Sequence, residues 1–296
     1  MNRFASALIS EGTWPRERLD VDYNARATVG DNFPEEMRAY RETSDEVRGE
    51  WLRFADIVYD HESSQTLDIF GPETVDGLRP VFLFVHGGYW RALSKHDSAM
   101  MAGMLAKAGI VTAVVDYRLA PTVSLSEIVR EVRAALAFLW RNASRYGIDR
   151  DRIHIGGSSA GGHLTGMLLA DGWHKDFDLP ENAIKSALPM SGLFELAPLA
   201  ASFPQEWLSL DEQQVDNLSP IRHLPQLGCP ILVACAEKEA PGFKRQSTAF
   251  AEAWSELGHP VQTLEIPGRN HFDILMELRI EETVLSQALL AMIEGR

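Results

Sequence analysis

At 296 residues, 45% apolar and 24% charged, the chain has the length to bury a sizeable core and the balance of an ordinary soluble protein. Its formal net charge of -14 disfavours nucleic acid and anionic membrane as partners and repels a polyanionic substrate, though not a small molecule carrying one carboxylate. No basic-then-apolar leader opens the sequence and no apolar run reaches the ~18 residues of a membrane span, so a cytoplasmic setting is expected.

Residues 1–50 are polar, helix-prone and studded with aromatics, and are expected to form an N-terminal arm or lid packed on a catalytic domain of residues 51–296. Pro34 suits a first helical position, Glu35 and Glu36 fall in the first turn, and Met37, Tyr40 and Val47 give one apolar face. Strands are predicted over 54–59 and 65–70, joined as a hairpin by a polar turn. The continuous apolar run 81–85 reads as a buried central strand. A helix over 98–108 ends before Gly109, a strand follows over 110–115, and a long helix over 125–146 is stopped by Gly147. Further on, strands are predicted over 183–190, 230–236 and 261–266, and helices over 243–257 and 272–292. The stretch 193–220, broken by Pro198, Pro204 and Pro220, is irregular and placed to cover a site. Cys229 and Cys235 flank an apolar strand pattern and read as reduced core residues. Strands alternating with helices imply right-handed crossovers and a mostly parallel sheet with helices on both faces. Ligands of such sheets sit beyond the carboxyl ends of the strands.

The chemistry centres on 152–169, which reads as strand, tight turn and helix. Gly157-Ser158-Ser159-Ala160-Gly161 fits G-x-S-x-G, in which a serine stands on a sharp turn between strand and helix. A hydroxyl is a poor nucleophile until a base removes its proton, so it must stand clear of the backbone to meet both base and substrate. The flanking glycines let strand and helix approach. Ser159 is the central serine; Ser158 falls at the variable position. Directly after the 81–85 strand comes His86-Gly87-Gly88-Tyr89-Trp90. There the N–H groups of Gly88 and Tyr89, with Gly87 shaping the turn, would join the N–H of Ala160 in an oxyanion hole. His86 is expected to order this loop, and Trp90 to line the substrate pocket or simply pack. The base should come last in the chain, and His271, between the 261–266 strand and the final helix, is the candidate. A histidine is largely neutral near pH 7, as a general base must be. The acid should follow the 230–236 strand. Glu239 is favoured over Glu237, and Asp273 stands too close in sequence to the base to orient it easily. Neither metal-ligand spacing nor a dinucleotide-binding glycine motif is found, so no metal and no cofactor are expected.

On these residues the chain resembles the α/β-hydrolase superfamily, in the branch of kynurenine formamidases (arylformamidases) and hormone-sensitive-lipase-like esterases. The resemblance runs from about Tyr23 to the C-terminus. HGGYW at 86–90 is similar to the formamidase oxyanion motif, DYRLAP at 116–121 to a run both groups share, and GGSSAGGHL at 156–164 to their elbow. Tyr23-Asn24-Ala25-Arg26 and GRNHFDIL at 268–275 resemble segments of bacterial formamidase-like proteins. In the esterase branch the triad acid lies two positions after a strand-end Glu, usually as Asp. Here that position is Glu239, a departure in residue type. The resemblance implies an α/β-hydrolase fold with small lid elements and cleavage of the formamide of N-formyl-L-kynurenine, a step of tryptophan catabolism. The alternatives are a carboxylesterase on small aryl or short-chain esters, and a hydrolase-fold binding protein without catalysis. The expected partner is a small acyl substrate, with a homodimer left open.

Overall fold

The apolar runs assemble into one eight-stranded sheet in the computed structural model, which describes residues 2–72 and 77–295. Met1, residues 73–76 and Arg296, which belong to the expected arm and domain, lie outside the described residues. Helices α1 (Arg3–Glu11), α2 (Arg16–Asp22) and α3 (Phe33–Trp51) precede β1 (Leu52–Asp60), β2 (Gln65–Phe70) and β3 (Arg79–Val85). Then α4 (Ala102–Lys107), β4 (Val111–Val115), α5 (Leu125–Asn142), β5 (Ile148–Ser158), α6 (Ala160–Leu169) and β6 (Ile184–Met190) follow. Three short helices, α7 (Ala197–Ala200), α8 (Gln205–Leu208) and α9 (Glu212–Asn217), lead into β7 (Ile231–Lys238), α10 (Pro241–Glu256), β8 (Val261–Asn270) and α11 (Val284–Glu294).

The strands lie in the order β1-β2-β4-β3-β5-β6-β7-β8. The β1/β2 hairpin and the β2/β4 pair are antiparallel, and every pair from β4 to β8 is parallel. Central strands are buried on both faces, which is why their sequences are continuously apolar. Val81, Leu83 and Val85 join a core with residues of α5, α6 and α10, while Phe82 and Phe84 face a second core with α4 and α11. Gly147 closes the long helical stretch in a left-handed conformation (φ 69°), one a glycine adopts without steric cost.

The fold departs from the sequence reading at three places. The helix expected over 98–108 is cut to α4, because the Ala99 N–H donates to Ser44 Oγ at 3.0 Å and so docks this segment on α3. The closing helix expected over 272–292 is two pieces, a 3-10 stretch Asp273–Arg279 and then α11, whose first turn is capped by Thr283 accepting from the Ser286 N–H. The irregular 193–220 stretch carries the three short helices, the last with a reciprocal Asp211–Gln214 capping box.

The N-terminal helices are built into the body. Ala5, Leu8, Leu19 and Tyr23 share the core with the sheet. Arg245 on α10 bonds Glu11 at 2.6 Å and Asp22 at 2.6 Å, and the Tyr23 hydroxyl donates to Glu11 at 3.0 Å. On the other side, Asp68 of β2 is completely buried and bound by Arg48 of α3 and by Lys95 Nζ at 2.8 Å. These cations hold its carboxyl below the usual carboxylate range against the opposing effect of burial. Among the described residues no helix is long and apolar enough to cross a membrane.

Candidate active site

At the carboxyl end of β5 the chain turns into α6 through Ser159, whose backbone sits at φ 59°, ψ -118°, outside the regions an L-residue prefers. The turn is possible because its neighbours lack side chains. A Cβ on Gly161 would stand 2.0 Å from the Val85 carbonyl oxygen, and one on Gly157 would stand 2.3 Å from that of Gly161. The Ser159 N–H donates to the Met190 carbonyl at 2.9 Å, tying the elbow to the end of β6. Among the described residues Ser159 Oγ has no hydrogen-bond partner and is not sealed from solvent.

The loop after β3 runs beside it. A Cβ on Gly87 would stand 3.3 Å from Ser159 Cβ. Three successive residues are left-handed: Gly88 (φ 95°), Tyr89 (φ 49°) and Trp90 (φ 57°). For the two non-glycines this costs roughly 1–3 kcal/mol each, so surrounding contacts must impose it. They are present. The Tyr89 hydroxyl donates to the Tyr23 carbonyl, Trp207 Nε1 donates to the Tyr89 carbonyl at 3.0 Å, and the Trp90 carbonyl accepts from the Ala120 N–H at 2.7 Å. Among the described residues the N–H groups of Gly88, Tyr89 and Ala160 donate to no protein acceptor. Free donors beside a serine hydroxyl are what a developing oxyanion needs.

Trp90 does not present a face to a pocket. Its side chain is completely buried, and its indole N–H donates to His163 Nδ1 at 3.2 Å. His163 in turn bonds the Leu218 carbonyl through Nε2 at 2.8 Å. Its tautomer is thereby fixed with the proton on Nε2, and burial pushes its pKa down to about 4. His86 likewise serves the loop. It stacks on Tyr117 with centroids 4.1 Å apart, its Nδ1 lies 2.9 Å from the Gly87 carbonyl, and the Tyr117 hydroxyl donates to the His86 carbonyl at 2.9 Å.

His271 follows β8, and its Nδ1 stands 2.8 Å from Glu239 Oε2. Both side chains are buried. With the Nδ1–H donating its hydrogen bond to the carboxylate, Nε2 keeps its lone pair and can accept a proton. Among the described residues His271 Nε2 has no hydrogen-bond partner. Glu237, the other candidate acid, is exposed and instead accepts the Gly268 N–H at 2.6 Å, bracing the loop that carries His271. Asp273 braces the same loop by accepting the Asn270 N–H at 2.6 Å. A 650 Å³ cavity lined by His174, Lys185, Trp254 and His259 opens at the opposite, amino end of the strands and shares no residue with this constellation.

The model of the BD-FAE family matches residues 67–253. A kynurenine formamidase of Salmo salar is 30% identical over 283 residues, covering 94% of each chain. The chain belongs to the BD-FAE family. An isoprenylcysteine alpha-carbonyl methylesterase of Arabidopsis thaliana is 27% identical over 75% of this chain and 57% of its own. Among solved structures, a Silicibacter sp. protein provisionally termed a thioesterase superimposes with TM-score 0.78 and 26% identity, over 93% of this chain and 98% of that one. The fold is that of the α/β-hydrolases, and the protein is a hydrolase of the formamide or ester type.

Two sets of contacts around the candidate residues were not legible in the sequence. One is made by the N-terminal arm, expected to pack on the domain, which touches the loops that carry Tyr89 and His271. Tyr23 holds the oxyanion loop through Tyr89, while on α3 the Tyr40 hydroxyl donates to the Phe272 carbonyl at 2.8 Å and Glu36 accepts from Asn270 Nδ2 at 2.9 Å. Aromatic residues before the sheet were a visible signal, but their partners lie more than 60 positions away in the chain. The other is made by Ser191, whose hydroxyl donates to Glu239 Oε1 and which nothing in the sequence singles out.

Proposed function

We propose that this protein is a serine hydrolase that cleaves the formamide of N-formyl-L-kynurenine or a related aryl formamide through Ser159, His271 and Glu239. The observation that carries the reading is the buried Glu239–His271 pair at 2.8 Å, beyond the same sheet end as the elbow serine with its free hydroxyl. Ser159 Oγ attacks the formyl carbon while His271 Nε2 takes the hydroxyl proton. The tetrahedral oxyanion is met by the N–H groups of Gly88, Tyr89 and Ala160. His271 then gives its proton to the aryl nitrogen, the C–N bond breaks, and the aryl amine leaves a formyl ester on Ser159. Water, deprotonated by His271, attacks that ester; the bond between the formyl carbon and Ser159 Oγ breaks as His271 returns the proton to Oγ, and formate leaves. Glu239 keeps the imidazole in the required tautomer and stabilises its charged form.

The formamide is favoured by the Salmo salar relative, matched at 30% identity over 94% of both chains. A carboxylesterase acting on small esters is the second reading, favoured by the methylesterase relative. The same machinery serves both, because the two substrates share the acyl step and differ in the leaving group. Steady-state kinetics on N-formyl-L-kynurenine and p-nitrophenyl acetate, with Ser159→Ala as control, separates them. A kcat/KM strongly favouring the formamide is expected. Turnover of the ester alone would replace the formamidase reading by the esterase one, and undiminished hydrolysis by Ser159→Ala would remove Ser159 as nucleophile.

A further inference from the structure

We infer that Ser191 is a positioning residue for the acid of this site, gripping the second oxygen of Glu239 so that the first stays on His271. The inference rests on the proposed Ser159–His271–Glu239 reading and extends it. Ser191 is the residue after β6 and is completely buried. Its hydroxyl donates to Glu239 Oε1, while Glu239 Oε2 accepts from His271 Nδ1 at 2.8 Å. The nearest backbone donor to Oε1, the Ala236 N–H, stands 3.4 Å away, too far to hold the carboxylate alone.

The need for a second grip follows from the side chain. A glutamate has one more rotatable bond than an aspartate. A carboxylate held at one oxygen can swing about that bond and lose the imidazole. Held at both oxygens by charge-assisted bonds, it cannot. Ser191 is itself rigidly placed. Its N–H donates to the Ala234 carbonyl at 2.8 Å, and its neighbour Met190 accepts the Ser159 N–H at 2.9 Å. The same two-residue corner thus anchors the elbow backbone and the acid side chain, setting nucleophile and acid in one frame. Its backbone is left-handed (φ 44°), a conformation that a glycine would adopt more cheaply. The hydroxyl is what a serine adds there.

The test is a double-mutant cycle on the full chain, read as kcat and KM on p-nitrophenyl acetate with thermal unfolding alongside. Ser191→Ala should lower kcat about 10- to 100-fold with KM within about threefold, the scale of a lost hydrogen bond to a charged group. Ser191→Gly relieves the backbone strain and removes the same hydroxyl, so it should lose kcat equally while folding at least as stably. In a Glu239→Ala background, Ser191→Ala should add less than about a twofold loss, since its target is gone. Equal losses in both backgrounds, or a Ser191→Gly enzyme as active as the parent, would show a role in the fold alone and overturn the inference. If Glu239→Ala itself leaves kcat within a fewfold of the parent, Glu239 is not the acid, and the proposed triad falls together with the role of Ser191.

Discussion

Replacing Trp90 by Phe tests whether the oxyanion loop is held in shape from behind. The substitution keeps an aromatic ring but removes the indole N–H that donates to His163 Nδ1 at 3.2 Å. A typical buried hydrogen bond contributes about 1 kcal/mol, and an acceptor left unsatisfied costs about 1–3 kcal/mol. A fully buried indole also leaves a void when a smaller ring takes its place. Together these amount to about 2–4 kcal/mol, comparable to the strain of holding Tyr89 and Trp90 left-handed. The loop should therefore relax toward ordinary backbone angles and turn its N–H groups away from Ser159. Losing one such donor typically costs 10²–10³ in turnover, so kcat should fall about 100-fold with KM little changed. For a chain of this size the melting temperature should drop by roughly 3–6 °C. Both are read from steady-state kinetics on p-nitrophenyl acetate and a calorimetric scan of the same preparation. A variant that melts several degrees lower yet keeps its full kcat would refute the reasoning, because the loop would then hold its geometry without this bond.

Other consequences concern the acid, the elbow and the buried histidines. Glu239→Gln keeps the shape but not the charge that orients the base, and should lower kcat by about 10³–10⁴, whereas Glu237→Gln, which can still accept the Gly268 N–H, should cost less than about threefold; kcat for the two variants decides, and the reverse order would exchange their roles. Gly161→Ala places a Cβ 2.0 Å from the Val85 oxygen, which neither strand nor helix can yield, and should cost more than about 4 kcal/mol or abolish folding, while Gly49→Ala, in an α3 position with open space, should stabilise by about 0.5–1 kcal/mol in urea titrations. His154 and His163 are each pushed down to about 4 by burial. Below the unfolded value near 6.5, the unfolded chain binds protons that the native state refuses. Stability should therefore fall between pH 6.5 and 4 by about 1.4 kcal/mol per pH unit for each histidine and owe nothing to them above that window. Unfolding free energies that stay flat from pH 7 to 5 would contradict the burial of both rings.

What the sequence disclosed was local, and what it withheld was the wiring between distant segments. The elbow could be read because its glycines are grouped within a few residues of one serine: Gly157 presses on Gly161, four positions on, although both also press on the distant Val85. The order serine, acid, histidine is the one the α/β-hydrolase resemblance implies, so Ser159, Glu239 and His271 could be named as candidates from chain order, and of these the structure pairs Glu239 with His271. The central strands showed because burial on two faces demands unbroken apolar runs. Helix ends showed less well, since a single tertiary bond such as Ala99 to Ser44, or a cap such as Thr283, overrides propensity.

The arm and Ser191 were hidden for a different reason. A serine, a tyrosine or a glutamate acquires its role only from what lies opposite it, and here the opposite group is 48 positions away for Ser191 and 66 for Tyr89 reaching Tyr23. Yet these are the contacts that hold the candidate residues in place. The oxyanion loop is strained, and strain persists only where the surroundings over-determine it. Tyr23 and His163 supply that from two sides, one through the arm and one through the elbow helix. The histidine loop is braced by α3 and the acid by the corner after β6. The arm therefore braces the loops that carry Tyr89 and His271, and on the proposed reading shortening it should lower kcat on p-nitrophenyl acetate through loop geometry.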